Sequence, residues 1–144
     1  MKKIRIVNQS PYTLPQYATV GSSGMDLQAH LTEAITLKPF ERRLIPTGLF
    51  LEIPLGYEGQ VRARSGLSIK KGITLINAVG TIDSDYRGEL KVPLVNLSQE
   101  DYILEPGERI AQLVIAEYTR TEWELVDVID STNRGSGGFG STGV

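Results

Sequence analysis

Cysteine is absent from the 144-residue chain, which removes disulfides and thiolate metal sites from consideration. Histidine occurs once, at His30, too few for most histidine-based catalysis or zinc binding, and His30 reads as a surface strand residue rather than a ligand. No apolar run approaches the ~20 residues of a membrane-crossing helix. The basic start, Met1 to Arg5, is followed by no apolar stretch of secretory length, so a soluble, cytoplasmic protein with no membrane partner is expected. The triplets Asn8-Gln-Ser and Asn96-Leu-Ser, which match a glycosylation pattern, therefore carry little weight. Neither charge dominates, with 15 basic residues against 17 acidic ones and a net charge of -2. Bulk attraction to a polyanion is thereby excluded, no direct nucleic-acid partner is expected, and any recognition of phosphate has to be local. Helical periodicity is scarce as well.

What is present is short alternation, broken repeatedly by Gly, Pro, Asp and Ser, the pattern of a single all-β domain. Ile4 and Ile6 alternate with Lys3 and Arg5. Met25, Leu27 and Ala29 alternate with Asp26 and Gln28, and Leu49, Leu51 and Ile53 surround Glu52, each a half-buried strand. A further run from Gly59 stops at Ser65-Gly66, and only Leu67 to Lys71 suits one helical turn before Gly72. Ile73 to Ile82 and Leu90 to Leu97 are expected to form a hairpin around the polar tip Asp83 to Gly88. The alternation changes phase near Leu94, where a bulge or strand end is expected. Arg109 to Glu117 is apolar enough for a strand covered on both faces, and Trp123 and Leu125 read as packing residues. The boundary between a packed body and a tail is expected at Asp130 to Asn133.

That tail, Arg134 to Gly143, holds five glycines in ten residues, too much backbone entropy for a core segment. A flexible end is its plain reading. It nevertheless carries Phe139, able to stack on a base, and Arg134, Ser141 and Thr142, able to hold phosphates. Gly135-x-Gly137-x-x-Gly140 matches a dinucleotide-binding fingerprint in letters only, because that motif needs a strand before it and a helix after it.

Elsewhere, Asp26 lies inside an apolar strand, on the face opposite Met25 and Leu27. Arg64-Ser65-Gly66 ends a strand with a cation, a hydroxyl and a residue that permits close backbone approach, which together suit a phosphate chain. As a plain Ser-Gly turn it would need no ligand. The tip Thr81-Ile-Asp83-Ser-Asp-Tyr86-Arg-Gly88 carries more functional groups than a turn requires. Gln112, on the strand face shared with Ile110 and Val114, is expected to be a buried amide in need of a partner.

Taken in order, Met25-Asp26-Leu27, Arg64-Ser65-Gly66-Leu67, Asn77 to Gly88, Gly107-Glu-Arg-Ile-Ala-Gln112-Leu113 and Arg134 to Gly143 resemble the five motifs of the trimeric deoxyuridine triphosphatase (dUTPase) family. The resemblance spans residues 24–143. Departures are small: Ser23-Gly24 and Ala63 stand where the family often has Ala-Gly and Pro, and neither removes a functional group.

The resemblance implies a jelly-roll-like, all-β fold, with a catalytic body over residues 1–130 and a mobile glycine-rich arm over 131–144 that closes on the active site. It implies hydrolysis of dUTP to dUMP and diphosphate with Mg²⁺, limiting uracil incorporation into DNA and supplying dUMP for dTMP synthesis. By the same resemblance Asp83 is the general base that activates a water against the α-phosphorus, and Tyr86 packs on the deoxyribose. Asn77 and the backbone around Gly80, Thr81, Ile82 and Lys91 read uracil. Arg64, Ser65, Gly66 and Gln112 contact phosphates, and Asp26 meets Mg²⁺ through water. Phe139 and Gly140, with Arg134, Ser141 and Thr142, cover the nucleotide in a homotrimer with shared active sites. A dCTP deaminase of the same broad fold and a non-catalytic nucleotide sensor are the alternatives. Asp83 to Tyr86 favours the hydrolase over the first, and intact Asp83, Arg134 and Phe139 favour activity over the second.

Overall fold

The computed structural model describes residues 2–138. Its strands are β1 (Arg5–Asn8), β2 (Gly24–Gln28), β3 (Ile35–Leu37), β4 (Arg42–Glu52), β5 (Tyr57–Ala63), β6 (Ile73–Leu75), β7 (Val79–Ile82), β8 (Glu89–Asn96), β9 (Tyr102–Leu104) and β10 (Arg109–Glu117), with one helix, α1 (Ser65–Lys71), between β5 and β6. Two four-stranded sheets are ordered β1-β4-β8-β6 and β2-β10-β5-β7, and β3 pairs with β9 in a third, two-stranded sheet. Every pairing between these strands is antiparallel. The architecture is all-β and jelly-roll-like, as the alternating runs and the resemblance imply.

One core joins the sheets. Leu49, Leu51, Val92 and Leu94 from the first and Leu27, Val61, Ala111 and Leu113 from the second belong to the same buried cluster. Burying a side chain such as Leu94, which is fully enclosed, contributes about 1.5–3 kcal/mol relative to exposure. Gly59 in β5 has no room for more: a Cβ there would stand 3.1 Å from Ile53 and 3.2 Å from Ile82 and Leu113. The β4–β8 ladder shifts register between Pro46 and Phe50, where proline has no N–H to give. The Thr47 hydroxyl donates to the Leu90 carbonyl at 2.6 Å and accepts from the Leu49 N–H at 3.2 Å, and the Gly48 N–H reaches Glu89 at 2.9 Å. These contacts replace the interrupted ladder. Gly48 is held at φ +72, and a Cβ on it would fall 2.7 Å from His30 Nδ1.

The helical turn expected near Leu67 is α1, closed by Gly72 at φ 68 with its N–H on the Ser68 carbonyl. Three other expectations are corrected. Ile73 to Ile82 is two strands in different sheets: Ala78 takes φ 61, the Ala78 N–H turns back to the Leu75 carbonyl, β6 stays beside β8, and β7 crosses to β5. The tip Asp83 to Gly88 therefore links two sheets rather than closing a hairpin. No bulge lies at Leu94. β8 runs on to Asn96, and the phase changes because Leu94, Val95 and Asn96 are all buried. Trp123 and Leu125 do not pack: they are 93% and 99% exposed in a stretch beyond the last strand.

Asn96, from a triplet given little weight, is the most constrained polar side chain in the body. It is fully buried, donates to the carbonyls of Leu37 and Glu100 at 2.9 and 2.8 Å, and accepts from the Ser98 N–H and hydroxyl at 2.9 and 2.8 Å. Truncating it leaves the buried Leu37 carbonyl and the part-buried Ser98 and Glu100 groups without their partner, and an unsatisfied buried group costs about 1–3 kcal/mol. Asn96→Ala is expected to lower stability by about 3 kcal/mol, read from urea denaturation at fixed protein concentration; a change below about 1 kcal/mol would contradict this account.

Candidate functional site

Sheet register brings the first polar group together. Gln112 in β10 stands opposite Asp26 in β2 on one side and Arg62 in β5 on the other, so the three share a face. Two residues beyond Arg62, Arg64 turns its guanidinium into the row. Its Nε donates to Asp26 Oδ1 at 3.0 Å and its Nη1 to the Arg109 carbonyl at 3.1 Å. Arg109 Nη1 donates to Asp26 Oδ2 at 3.1 Å, and Gln112 Nε2 to Oδ1 at 3.3 Å. The carboxylate is half-buried, 26% exposed as is the Arg64 side chain, against 60% for Arg109. Such partly buried, charge-assisted contacts are stronger than neutral ones. Two clefts flank Asp26. One, of about 300 Å³, runs past Gln16, Ser22, Gly24 and Gln112, and the other, of about 180 Å³, passes Thr13, Gln28 and Arg109.

Gln112 is half-buried and satisfied by Asp26, a correction to the buried amide expected from alternation. The reason is a bulge: register slips between Arg109 and Ala111, and both Ile110 and Ala111 turn into the core. The same slip explains why Arg109 escapes a sequence reading. Three residues from Gln112, strict alternation sends it to the other face, whereas the bulge brings it beside Gln28 and Asp26. A polar residue out of phase in an apolar run is the signal that could have found it.

The remaining predicted residues lie elsewhere. Ser65 and Gly66 are exposed at the start of α1. Asn77 is exposed in the turn between β6 and β7, and a Cβ on Gly80 would meet its Nδ2 at 3.3 Å, so bare β7 backbone lies beside that amide. Thr81 and Asp83 are exposed and Ile82 half-buried. Tyr86 folds over Gly88, where any side chain would overlap its ring, and donates its hydroxyl to the Glu89 carbonyl at 3.1 Å. Lys91 points outward from β8, 3.5 Å from Glu89. Arg134 is exposed and donates to the Gly137 carbonyl at 2.9 Å. Phe139, Gly140, Ser141 and Thr142 lie outside the described residues.

Among the described residues, these groups do not form one cluster. Ile82 pairs with Gly59 at the start of β5, and Ala111 pairs with Ala63 at its end. Asp83 and Arg64 therefore leave opposite ends of the same strand, roughly 17–20 Å apart at ~3.3 Å per residue.

Beside the Arg64 row, the Tyr102 hydroxyl donates to the Glu108 carboxylate. Burial and then this acceptor push the phenol well above its ordinary value, and the nearby Arg64 charge acts the other way.

An all-β body with a carboxylate–arginine row and a polar loop at the far end of one strand has the charge and donors to suit an enzyme that handles phosphate, and comparison with known proteins supplies the class. The family model described as dUTPase matches residues 10–143. The deoxyuridine 5'-triphosphate nucleotidohydrolase of Finegoldia magna is 60% identical over 98% of this chain and 99% of its own length, and that of Fusobacterium nucleatum is 55% identical over 99% of each. Among solved structures, a Staphylococcus bacteriophage 80alpha dUTPase mutant with dUpNHpp matches with TM-score 0.85 and 27% identity over 100% of both chains. The chain belongs to the dUTPase family.

Because the Tyr102 value is raised on folding, its contribution is intact below the ordinary tyrosine value of 10.0 and is lost as pH rises through the folded value. The parent is expected to lose more stability between about pH 9 and 11 than Tyr102→Phe does, measured by denaturant midpoints; equal losses would show that the phenol ionises alike in both states.

Proposed function

We propose that this protein hydrolyses dUTP to dUMP and diphosphate in active sites shared between subunits of a homotrimer. The reading is supported most by the separation along β5. The groups assigned here to phosphate gather at one end of the strand and the Asp83–Tyr86 loop leaves from the other, too far apart for one chain to serve both ends of a nucleotide easily. A neighbouring copy bringing its loop to the Arg64 row removes the difficulty. Trp123, Leu125, Val128 and Ile129, each at least 83% exposed, offer the apolar surface that such an assembly would cover.

In this reading Arg64, Ser65, Gly66 and Gln112 hold the triphosphate. Asp83 takes a proton from the water that attacks the α-phosphorus, a role worth about 10²- to 10⁴-fold, and accepts from the sugar 3'-hydroxyl. Tyr86 packs on the deoxyribose and leaves no space for a 2'-hydroxyl. Asn77, with the backbone of Gly80, Thr81, Ile82 and Lys91, reads the uracil edge; cytosine would leave a polar group unpaired, at about 1–3 kcal/mol each. Residues 131–144 close over the nucleotide, with Phe139 on the base and Arg134, Gly140, Ser141 and Thr142 around the phosphates.

The donor set suits Mg²⁺ carried in by the substrate. No group of three or more His, Cys, Asp or Glu stands together among the described residues. The Asp26 carboxylate accepts three N–H contacts, which leaves lone-pair capacity for one metal-bound water. When bound, Mg²⁺ would neutralise charge on the phosphates. In this reading the protein works in the cytoplasm.

A panel of nucleoside triphosphates, with diphosphate and ammonia both measured, is expected to give diphosphate from dUTP alone; ammonia from dCTP would overturn the reading. Asp83→Asn is expected to lower turnover by at least about 10²-fold while dUTP still binds. Shared sites have a sharper signature. Mixing Asp83→Asn and Arg64→Gln chains, each inactive alone, then refolding them together should recover about a quarter of parental activity through random assembly, and no recovery would place each site within one chain. Removing residues 131–144 is expected to abolish turnover without changing the melting temperature, and a large drop in melting temperature would make the arm a structural element.

A further inference from the structure

Arg109 has no part in the nucleotide roles proposed above, yet it touches both members of the Arg64–Asp26 pair. Its guanidinium holds Asp26 Oδ2 at 3.1 Å, and its carbonyl accepts from Arg64 Nη1 at 3.1 Å. Arg64 thus commits one N–H to each of two partners, and a guanidinium has five. The three left over include both on Nη2, fixed in direction because the planar fork is pinned at Nε and Nη1. The pin is only as steady as the carboxylate beneath it. Asp26 is braced at Oδ2 by Arg109 and at Oδ1 by Arg64 and Gln112, so it cannot rotate without breaking a contact on either side. Charge points the same way: the Asp26 carboxylate with the Arg64 and Arg109 guanidiniums it pairs with carries +1, and losing the Arg109 charge leaves that group at zero.

We infer that Arg109 is a positioning residue for polyphosphate: by bracing Asp26 it aims the free N–H groups of Arg64 at the phosphate chain. This rests on the reading that the Arg64 row receives the triphosphate. The bulge between Arg109 and Ala111 is the backbone device that makes it possible, because without the extra residue the side chain would leave from the opposite face.

The test is calorimetric titration of the full-length protein with inorganic tripolyphosphate, which removes base and sugar from the measurement. Arg109→Gln is expected to weaken binding about tenfold, the order lost with a charge-assisted contact, and Arg109→Lys to recover part of it. In an Asp26→Asn background the same substitution should have almost no effect, because the link it acts through is already gone. Should Asp26→Asn fail to fold, Arg64→Gln serves as the background with the same expectation. Undiminished binding by Arg109→Gln, a penalty of equal size in either background, or a parent that does not bind tripolyphosphate would each overturn the inference. Parental dUTP turnover, measured alongside, separates the two readings: a protein that binds tripolyphosphate through Arg109 but leaves dUTP intact refutes the proposed reaction and keeps the role of Arg109.

Discussion

The Asp26 carboxylate is the point on which the site's arrangement depends. It sits on the edge strand β2 and collects N–H donors from Arg109 and Gln112 in β10 and from Arg64 just past the end of β5. An exposed ion pair contributes little, but a half-buried carboxylate with three convergent donors fixes the relative aim of long side chains that would otherwise sample many rotamers. Antiparallel register does the rest. Because Gln112 lies directly between Asp26 and Arg62, the sheet delivers these groups to one face with no loop involved, and a rigid element positions charge better than a mobile one.

Division of labour along β5 follows from the same sheet. β7 pairs antiparallel with Gly59 to Arg62 of β5 and β10 runs the length of it, so the polar loop after β7 and the arginine after β5 emerge at opposite ends. A jelly-roll-like body solves the packing problem of two sheets on one core, and the price is that its two chemically rich edges face apart. Assembly of several copies is the economical way to bring such edges together.

Much of the candidate site is legible in the residues alone. Asp26 and Gln112 stand out as polar groups in apolar strands, Arg64 as a cation where a strand ends, and the Asp83–Tyr86 tip as a turn with surplus chemistry. Their order along the chain carries the family resemblance. What escapes is whatever alternation cannot encode. A run from Ile73 to Ile82 reads as one strand because residue pattern records which face is apolar, not which sheet supplies the partner. Arg109 is hidden by a bulge that shifts phase by one residue. Trp123 and Leu125 look like core because hydrophobicity suggests burial, whereas both stand exposed beyond the last strand. Asn96 resembles a surface acceptor in letters, whereas the loop from Asn96 to Glu100 wraps around its amide.

The exposure of Trp123 has a practical side. It is the sole tryptophan, and at 93% accessibility its indole already sits in water while the body is folded. Emission from an isolated chain would scarcely register melting of the sandwich, since the fluorophore's surroundings hardly change. In the proposed trimer, a neighbouring copy lying over that stretch would shift the same probe to the blue, so intrinsic fluorescence would then report company rather than folding.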